Sequence, residues 1–453
     1  MIVVDLPLTY YKRNLKEKIY KLLLTISNSE LFTKGSSALI FKIGGMLAIY
    51  FFHFFLAKFA GPSANGLFST FFTLVSIIAV FTILGLDTFL LKKLADFNSK
   101  QQWGSLKKTY KKAIGVVLSI SITITFLLYL FFTNGYLDFY GKADIIPLLI
   151  LIIIPFSVLH INAEAFRAIK NIKLFSFFKN FSVFGLAAIG LFFVHNSEQN
   201  IGVFTFTISV IILSVLSIIL WLRTANKLHA PIGENIPIPA MIKESFPMFL
   251  SGSLFLLMSW VDILMLGYFE NQYSVGIYTI ALKLAGLTGL ILFATNTILG
   301  PKISELYHNK NMQSLASTVQ SASKFTFLLS LPIFLIIILF SGFFLNIFGS
   351  EFNTIMGKEA LIILSVGQMT NVFFGAVIYI LDMTGKQITS RNILFFTAII
   401  NITLNWYLIP VYGIKGAAMA TTISIFFWTL LGAVFVKKYF NFYGFPIFSK
   451  NKK

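Results

Sequence analysis

The run from Ile201 to Leu222, IGVFTFTISVIILSVLSIILWL, carries no charged side chain and stops at Arg223. Wound as a helix rising about 1.5 Å per residue, a run of this length crosses the roughly 30 Å hydrocarbon core of a bilayer. Working outward from it in both directions, further apolar runs give twelve spans, at about 36–59, 66–90, 113–134, 145–166, 174–195, 201–222, 244–268, 276–300, 325–346, 359–382, 392–410 and 415–437. Of the 453 residues, 57% are hydrophobic and 12% charged, about half the charged fraction of a soluble domain. These features predict an all-α polytopic membrane protein.

The chain holds 36 Lys+Arg against 17 Asp+Glu, a formal net charge of +19. In a polar chain that balance would suggest nucleic acid; here the placement of the cations along the membrane runs decides their meaning. Lys58, Lys142, Lys358 and Lys415 fall on one side of the alternating loops, and Lys42 and Lys283 fall inside spans. The other thirty lie on the side that holds both termini. A bias of this size fixes orientation by the positive-inside rule, with both termini cytoplasmic and an even span count. The first 35 residues lack a compact apolar core, so no cleavable signal is expected. Leu15, Ile19, Leu22, Leu23 and Ile26 instead mark one face of an interfacial helix on the cytoplasmic leaflet, with a partner-binding arm as the alternative.

An internal repeat has an offset of 210. Gly66-Leu67-Phe68-Ser69 aligns with Gly276-Ile277-Tyr278-Thr279, and each run opens a span after a short outer loop. Spans 1–2 then correspond to spans 7–8. The expected layout is a cytoplasmic segment (1–35), an N-lobe of spans 1–6 (36–222), a cytoplasmic linker (223–243) holding Pro231, Pro237 and Pro239, a C-lobe of spans 7–12 (244–437) and a basic tail (438–453). Six is even, so the lobes share orientation and are related by a pseudo-two-fold along the membrane normal, with substrate expected between them.

Three stretches carry a family resemblance. The first is Leu56-Ala57-Lys58-Phe59-Ala60-Gly61-Pro62, followed by Gly66-Leu67-Phe68 and Leu84-Gly85-Leu86-Asp87. The second runs from Phe246-Pro247-Met248 through Asp262-Ile263-Leu264-Met265-Leu266-Gly267 and Val275-Gly276-Ile277-Tyr278 to Pro301-Lys302-Ile303. The third is Asn405-Trp406-Tyr407-Leu408-Ile409-Pro410, with Gly413 and Lys415-Gly416-Ala417-Ala418. Together they resemble the polysaccharide-transporter branch of the multidrug/oligosaccharidyl-lipid/polysaccharide flippase superfamily, with O-antigen flippases closest in pattern. The resemblance implies a multi-pass protein of the bacterial inner membrane. It would turn a polyprenyl-pyrophosphate-linked oligosaccharide from the cytoplasmic to the outer leaflet, among membrane lipids and upstream of polysaccharide polymerase or ligase enzymes.

Ionisable residues at membrane depth are functional candidates by default. Lys42 lies early in span 1, where it either snorkels to the interface or offers a cation to pyrophosphate. Asp262 and Lys283 lie at similar depth in antiparallel neighbours, which predicts an ion pair. On the sharper reading Lys283 binds substrate and Asp262 couples or gates transport. His160, Glu164 and Arg167 share a face of span 4; Arg167 is the substrate-binding candidate of that set, and Glu164 a gating one. The bland alternative for this face is a solvated helix end. His53 is expected to be a hydrogen-bonded packing residue. Asn296, Gln368, Asn371, Asn401 and Asn405 suit interhelical hydrogen bonds or sugar hydroxyls.

No P-loop, no dinucleotide fingerprint and no His-Glu-x-x-His pair is present, and no extramembrane segment is long enough for a catalytic domain. With no cysteine and five scattered histidines, neither a metal nor another cofactor is expected. The expectation is therefore a transporter and not an enzyme, and nucleic acid is not an expected partner. Energy comes from an H+ or Na+ gradient or from downstream removal of product. The alternatives are a cation-coupled multidrug exporter of the same superfamily, with Asp262 as its coupling carboxylate, and a membrane glycosyltransferase or polymerase. The short outer loops count against the last.

Overall fold

The structure, a computed structural model, describes residues 30–134, 145–194, 197–226 and 235–446. The predicted interfacial helix, most of the central linker and the last residues of the tail lie outside these. All regular secondary structure among the described residues is helical. By length and composition alone, nine helices there can cross a membrane. Three local features raise the number to twelve. The helix printed as one piece, Glu30–Ile83, is two helices meeting at Gly61, whose φ of 74° and ψ of −172° reverse the chain before Pro62. Ile355–Phe374 and Val377–Met383 form one span bent by 45° at Gly375. Ile238–Phe269 is a continuous helix of 32 residues.

In chain order the helices are α1 (30–60), α2 (62–83, resuming as Leu86–Ser99), α3 (Trp103–Thr133), α4 (Ile146–Ala168), α5 (Ile172–Val194) and α6 (Ile201–Asn226). The second set is α7 (Ile238–Phe269), α8 (Gln272–His308), α9 (Met312–Leu339), α10 (Ile355–Phe374 with Val377–Met383), α11 (Gln387–Tyr412) and α12 (Ile414–Phe440). One buried cluster joins α1–α6, and others are confined almost wholly to α7–α12. These are two six-helix lobes. Several helices run beyond the predicted spans on the lysine-rich face. At 31 residues, α3 reaches about 46 Å, more than hydrocarbon needs, and its surplus carries the lysines into the interface.

The turns on that basic face are built alike. Gln101, Lys170 and Lys310 each take a positive φ, of 57°, 63° and 54°. Asn171 and Asn311, the residues after two of them, cap the next helix by accepting from Leu174 N and Ser314 N. Helices end and restart there within about three residues, which keeps consecutive helices antiparallel and adjacent.

The pseudo-two-fold is visible in one contact on the opposite, far face. A Cβ on Gly66 would lie 1.8 Å from the carbonyl oxygen of Gln272, and a Cβ on Gly276 would lie 1.9 Å from that of Pro62. Residues 272 and 276 are 62 and 66 displaced by the repeat, so the contact maps onto itself when the lobes are exchanged. Only glycine permits this backbone approach. The aligned Gly66 and Gly276 runs are thus the place where the two lobes touch.

Candidate functional site

Below that contact the lobes part around three adjoining chambers of about 400, 610 and 210 Å³. Phe184 of α5 lines all three, and Lys179 and Asn180 line the two larger ones. The largest is walled by α1 and α5 on one side and by α8, α10, α11 and α12 on the other, with Asn296, Gln368 and Asn371 presenting amides. The smallest is the deep end, nearest the Gly66–Gly276 contact, and there His53, Ser69 and Thr73 face Thr279 and Lys283. Ser69 and Thr279 are repeat mates, as are Thr73 and Lys283. The symmetric floor therefore differs in one respect: the C-lobe supplies a cation where the N-lobe supplies a hydroxyl.

Local structure explains how Lys179 enters. Residues Phe177–Phe181 form a π-helical turn inside α5. The wider turn displaces the backbone toward α1, and a Cβ on Gly45 would fall 2.5 Å from the Asn180 carbonyl oxygen. Gly44-Gly45 thus makes room for the bulge. Lys179 Nζ lies 3.4 Å from Glu164 Oε1, while the other carboxylate oxygen lies 3.4 Å from Arg167 Nη1. Glu164 is buried and Arg167 is exposed, with its guanidinium 5.0 Å from the Phe175 ring centre.

The predicted residues divide clearly. Lys283 lines the deep chamber, and His160 lines the 400 Å³ one. Arg167 does not line a chamber; it sits about two turns beyond His160 toward the basic face and braces Glu164, which in turn holds Lys179. The backbone of Lys42 lies in α1, but its side chain is outside the described residues. His53 packs as expected, its Nδ1 2.7 Å from Asn65 Oδ1. Lys179 and Asn180 are the residues that sequence reasoning missed: Lys179 was counted among the turn cations, and nothing in the aromatic run around it announces a π turn.

The expected Asp262–Lys283 pair is not formed. Asp262 is buried inside the C-lobe, where Tyr278 Oη donates over 3.0 Å and Asn405 Nδ2 over 2.6 Å. Thr421 Oγ1 lies 2.5 Å from the carboxylate, and the Asn401 side chain also bonds to it. Equal depth is not equal azimuth. Lys283 follows Tyr278 by five residues, about 140° around α8 at 3.6 residues per turn. The helix therefore shows tyrosine to the C-lobe interior and lysine to the chamber. Four helices (α7, α8, α11 and α12) meet at Asp262. Around it, Asn401 Oδ1 and Asn405 Oδ1 are buried with no hydrogen-bond partner. An unsatisfied buried acceptor costs about 1–3 kcal/mol, and a cation with oxygen ligands would satisfy both at once. One carboxylate, two amide oxygens and a threonine hydroxyl suit a small monovalent ion, or the carboxylate can take a proton.

Comparison with known proteins now adds identity. Residues 31–307 match the family described as polysaccharide biosynthesis protein, well over half of the chain. The chain belongs to that family. Residues 247–407 also match the MatE family, which places the polysaccharide biosynthesis protein within the multidrug/oligosaccharidyl-lipid/polysaccharide flippase superfamily. Among relatives, the probable low-salt glycan biosynthesis flippase Agl15 of Haloferax volcanii is 30% identical over 185 residues. That segment spans 40% of this chain and 38% of Agl15. An uncharacterized membrane protein of Methanocaldococcus jannaschii is 24% identical over 82% of this chain and 77% of its own. In three dimensions the lipid II flippase MurJ in an inward closed conformation superposes with a TM-score of 0.68 at 18% identity, over 90% of this chain and 87% of MurJ. That likeness concerns the fold: twelve helices in two lobes.

Proposed function

We propose that this protein is a flippase that carries a polyprenyl-diphosphate-linked oligosaccharide, an O-antigen or related surface-glycan unit, across the cytoplasmic membrane by alternating access. The observation that carries the reading is the interlobe chamber, sealed at the far face and furnished with Lys179 and Lys283. Among the described residues Lys283 makes no ion pair, and a desolvated ammonium without a counter-ion is costly. A diphosphate supplies the missing anion, and Ser69, Thr73 and Thr279 supply hydroxyls around it. The amides of Asn296, Gln368 and Asn371 and the aromatic walls suit sugar rings, while the lipid tail stays in the membrane. The lysine bias supports both termini in the cytoplasm, so the chamber loads from the leaflet where lipid-linked sugars are assembled.

Coupling to Na+ or H+ at Asp262 belongs to the same proposal. Filling the oxygen-lined site would tie α7 and α8, which wall the chamber, to α11 and α12 behind them. Polymerase or ligase enzymes would then consume the exported unit. The Asp262 site and the MatE match also support the second reading, a cation-coupled drug exporter. The two separate on one experiment. Depletion in the native host should stop surface-glycan assembly and accumulate lipid-linked oligosaccharide on the inner leaflet, restored by the wild-type chain but not by Lys283→Ala. Normal surface glycan with increased dye retention would overturn the flippase reading in favour of drug export.

A further inference from the structure

On the lipid side of the α1–α5 seam lies an apolar groove of about 410 Å³, and none of its eleven lining residues has a polar side chain. Its floor is small, made by Gly44 and Ala48 of α1 and Gly185 and Ala188 of α5, and phenyl rings stand along its edges. We propose that this groove seats the first isoprene units of the substrate's polyprenyl tail. The inference rests on the flippase reading and deepens it.

Continuity with the chamber picks out this occupant. α1 is a shared wall: Gly45, Met46 and Ile49 line the 610 Å³ chamber, while Gly44, Leu47, Ala48 and Phe51 line the groove. The π turn is shared too, since Lys179 and Asn180 face the chambers and Phe181, the last residue of that turn, closes one end of the groove. A molecule with a diphosphate beside Lys179 and an apolar chain leaving toward α1 meets this groove first. Its straight-chain competitors are the surrounding lipids. In hydrocarbon there is no hydrophobic gain in choosing between them, so selection comes from van der Waals fit. Gly44 and Ala48 are one helical turn apart, as are Gly185 and Ala188. The floor therefore offers recesses at regular intervals between the rings, and a chain that carries a methyl branch at every fourth carbon fills them where a straight acyl chain does not.

The test measures binding to the purified full-length protein with three probes: a radiolabelled C55 polyprenyl diphosphate, isopentenyl diphosphate, and dioleoyl phosphatidylglycerol as competitor. Ala48→Phe and Ala188→Leu fill the floor from different helices. Each should weaken C55 binding about fivefold to tenfold and leave isopentenyl diphosphate binding unchanged, and the phosphatidylglycerol should compete poorly. Equal C55 affinity in wild type and both variants overturns the groove. So does phosphatidylglycerol competing as well as the polyprenyl chain, which would make it a general lipid-contact surface. If the variants weaken both diphosphates alike, the damage is to the chamber and the proposal also falls. If Lys283→Ala leaves isopentenyl diphosphate binding intact, the flippase reading of the chamber fails instead, and this outcome is distinct from the others.

Discussion

The two ends of the interlobe interface are made of different materials. At the far face the lobes meet backbone to backbone through Gly66 and Gly276, supported by Thr70 Oγ1 donating to Gln272 Oε1 over 2.9 Å. At the basic face they meet by long side chains: Lys92 and Lys93 reach Glu244 at 3.3 and 3.2 Å. A close-packed backbone seam is short-ranged and either intact or open, whereas ion pairs at a wet surface stretch and re-form at little cost. The difference shows which end is firmly shut in this state, and it orders the substitutions that should shift the balance.

The largest effect is expected at the seam. Gly66→Ala or Gly276→Ala places a methyl group on a carbonyl oxygen, and the only relief is separation of the helices. Alanine is the better helix former, so any loss comes from the contact between lobes. Overpacking of this kind costs about 1–3 kcal/mol. Both variants should melt several degrees lower and lose at least tenfold in glycan export. The chain has no native cysteine, so Thr279→Cys can be labelled without background. Added to Gly66→Ala, it should react with an impermeant maleimide from the far side, while in the parent it stays protected. Protection in both would mean that the seam is not the closed gate.

Next come the chamber cations. A hydrogen bond to a charged group is worth about 1.5–3 kcal/mol, equivalent to roughly 10–100-fold. Lys283→Ala should lower export toward the upper end of that range and Lys283→Arg should retain much of it. Lys179→Ala should lie nearer tenfold, because Glu164 already shares the charge of Lys179. If Lys179→Ala proved the more damaging, the anion would lie at the mouth of the chamber and not at its deep end.

How much of this was legible in the sequence follows from the range of each signal. Apolar runs and the lysine bias act over whole helices, so span number and the lobe arrangement could be read directly, and the glycine repeat even marked the point of contact. Azimuth could not be read. Asp262 and Lys283 were expected to meet because depth is linear in residue number, whereas the facing of α8 is set by packing against three other helices. The π turn was equally invisible, since one extra residue in a helical turn leaves no compositional trace and Lys179 reads as one more cation near a loop. Asn401 and Asn405 were noticed as polar, but their grouping around Asp262 needs α7, α8, α11 and α12 brought together.

A smaller and more selective effect is expected at Asp262. If the oxygen cluster holds Na+, the wild-type protein gains stability as RT ln(1 + [Na+]/Kd), about 2.7 kcal/mol at a hundredfold excess over Kd. Thermal unfolding of the purified protein should then move upward with NaCl and not with choline chloride. Asp262→Asn should abolish that difference and lower export about tenfold, while still folding, because an amide can accept from Tyr278 and Thr421. A salt response that persists in Asp262→Asn places the ion elsewhere. An absent salt response in wild type, with export that still depends on Asp262, points to a proton.

The smallest effect is expected at the basic-face contact. The Lys92 side chain is 65% exposed and that of Glu244 34%, so each pair contributes about 0–1 kcal/mol and less at high salt. Glu244→Gln should leave the melting temperature nearly unchanged and alter export no more than about threefold. It should nevertheless speed labelling of a cysteine at Thr88, on the chamber rim beside α2, by a comparable factor at low ionic strength, and that gain should vanish in half-molar salt. The control is Gly85, whose Cβ would fall 2.5 Å from the Ser245 carbonyl oxygen. If Gly85→Ala perturbs labelling far more than Glu244→Gln, this end too is held by backbone packing, and the contrast between the two faces becomes one of degree.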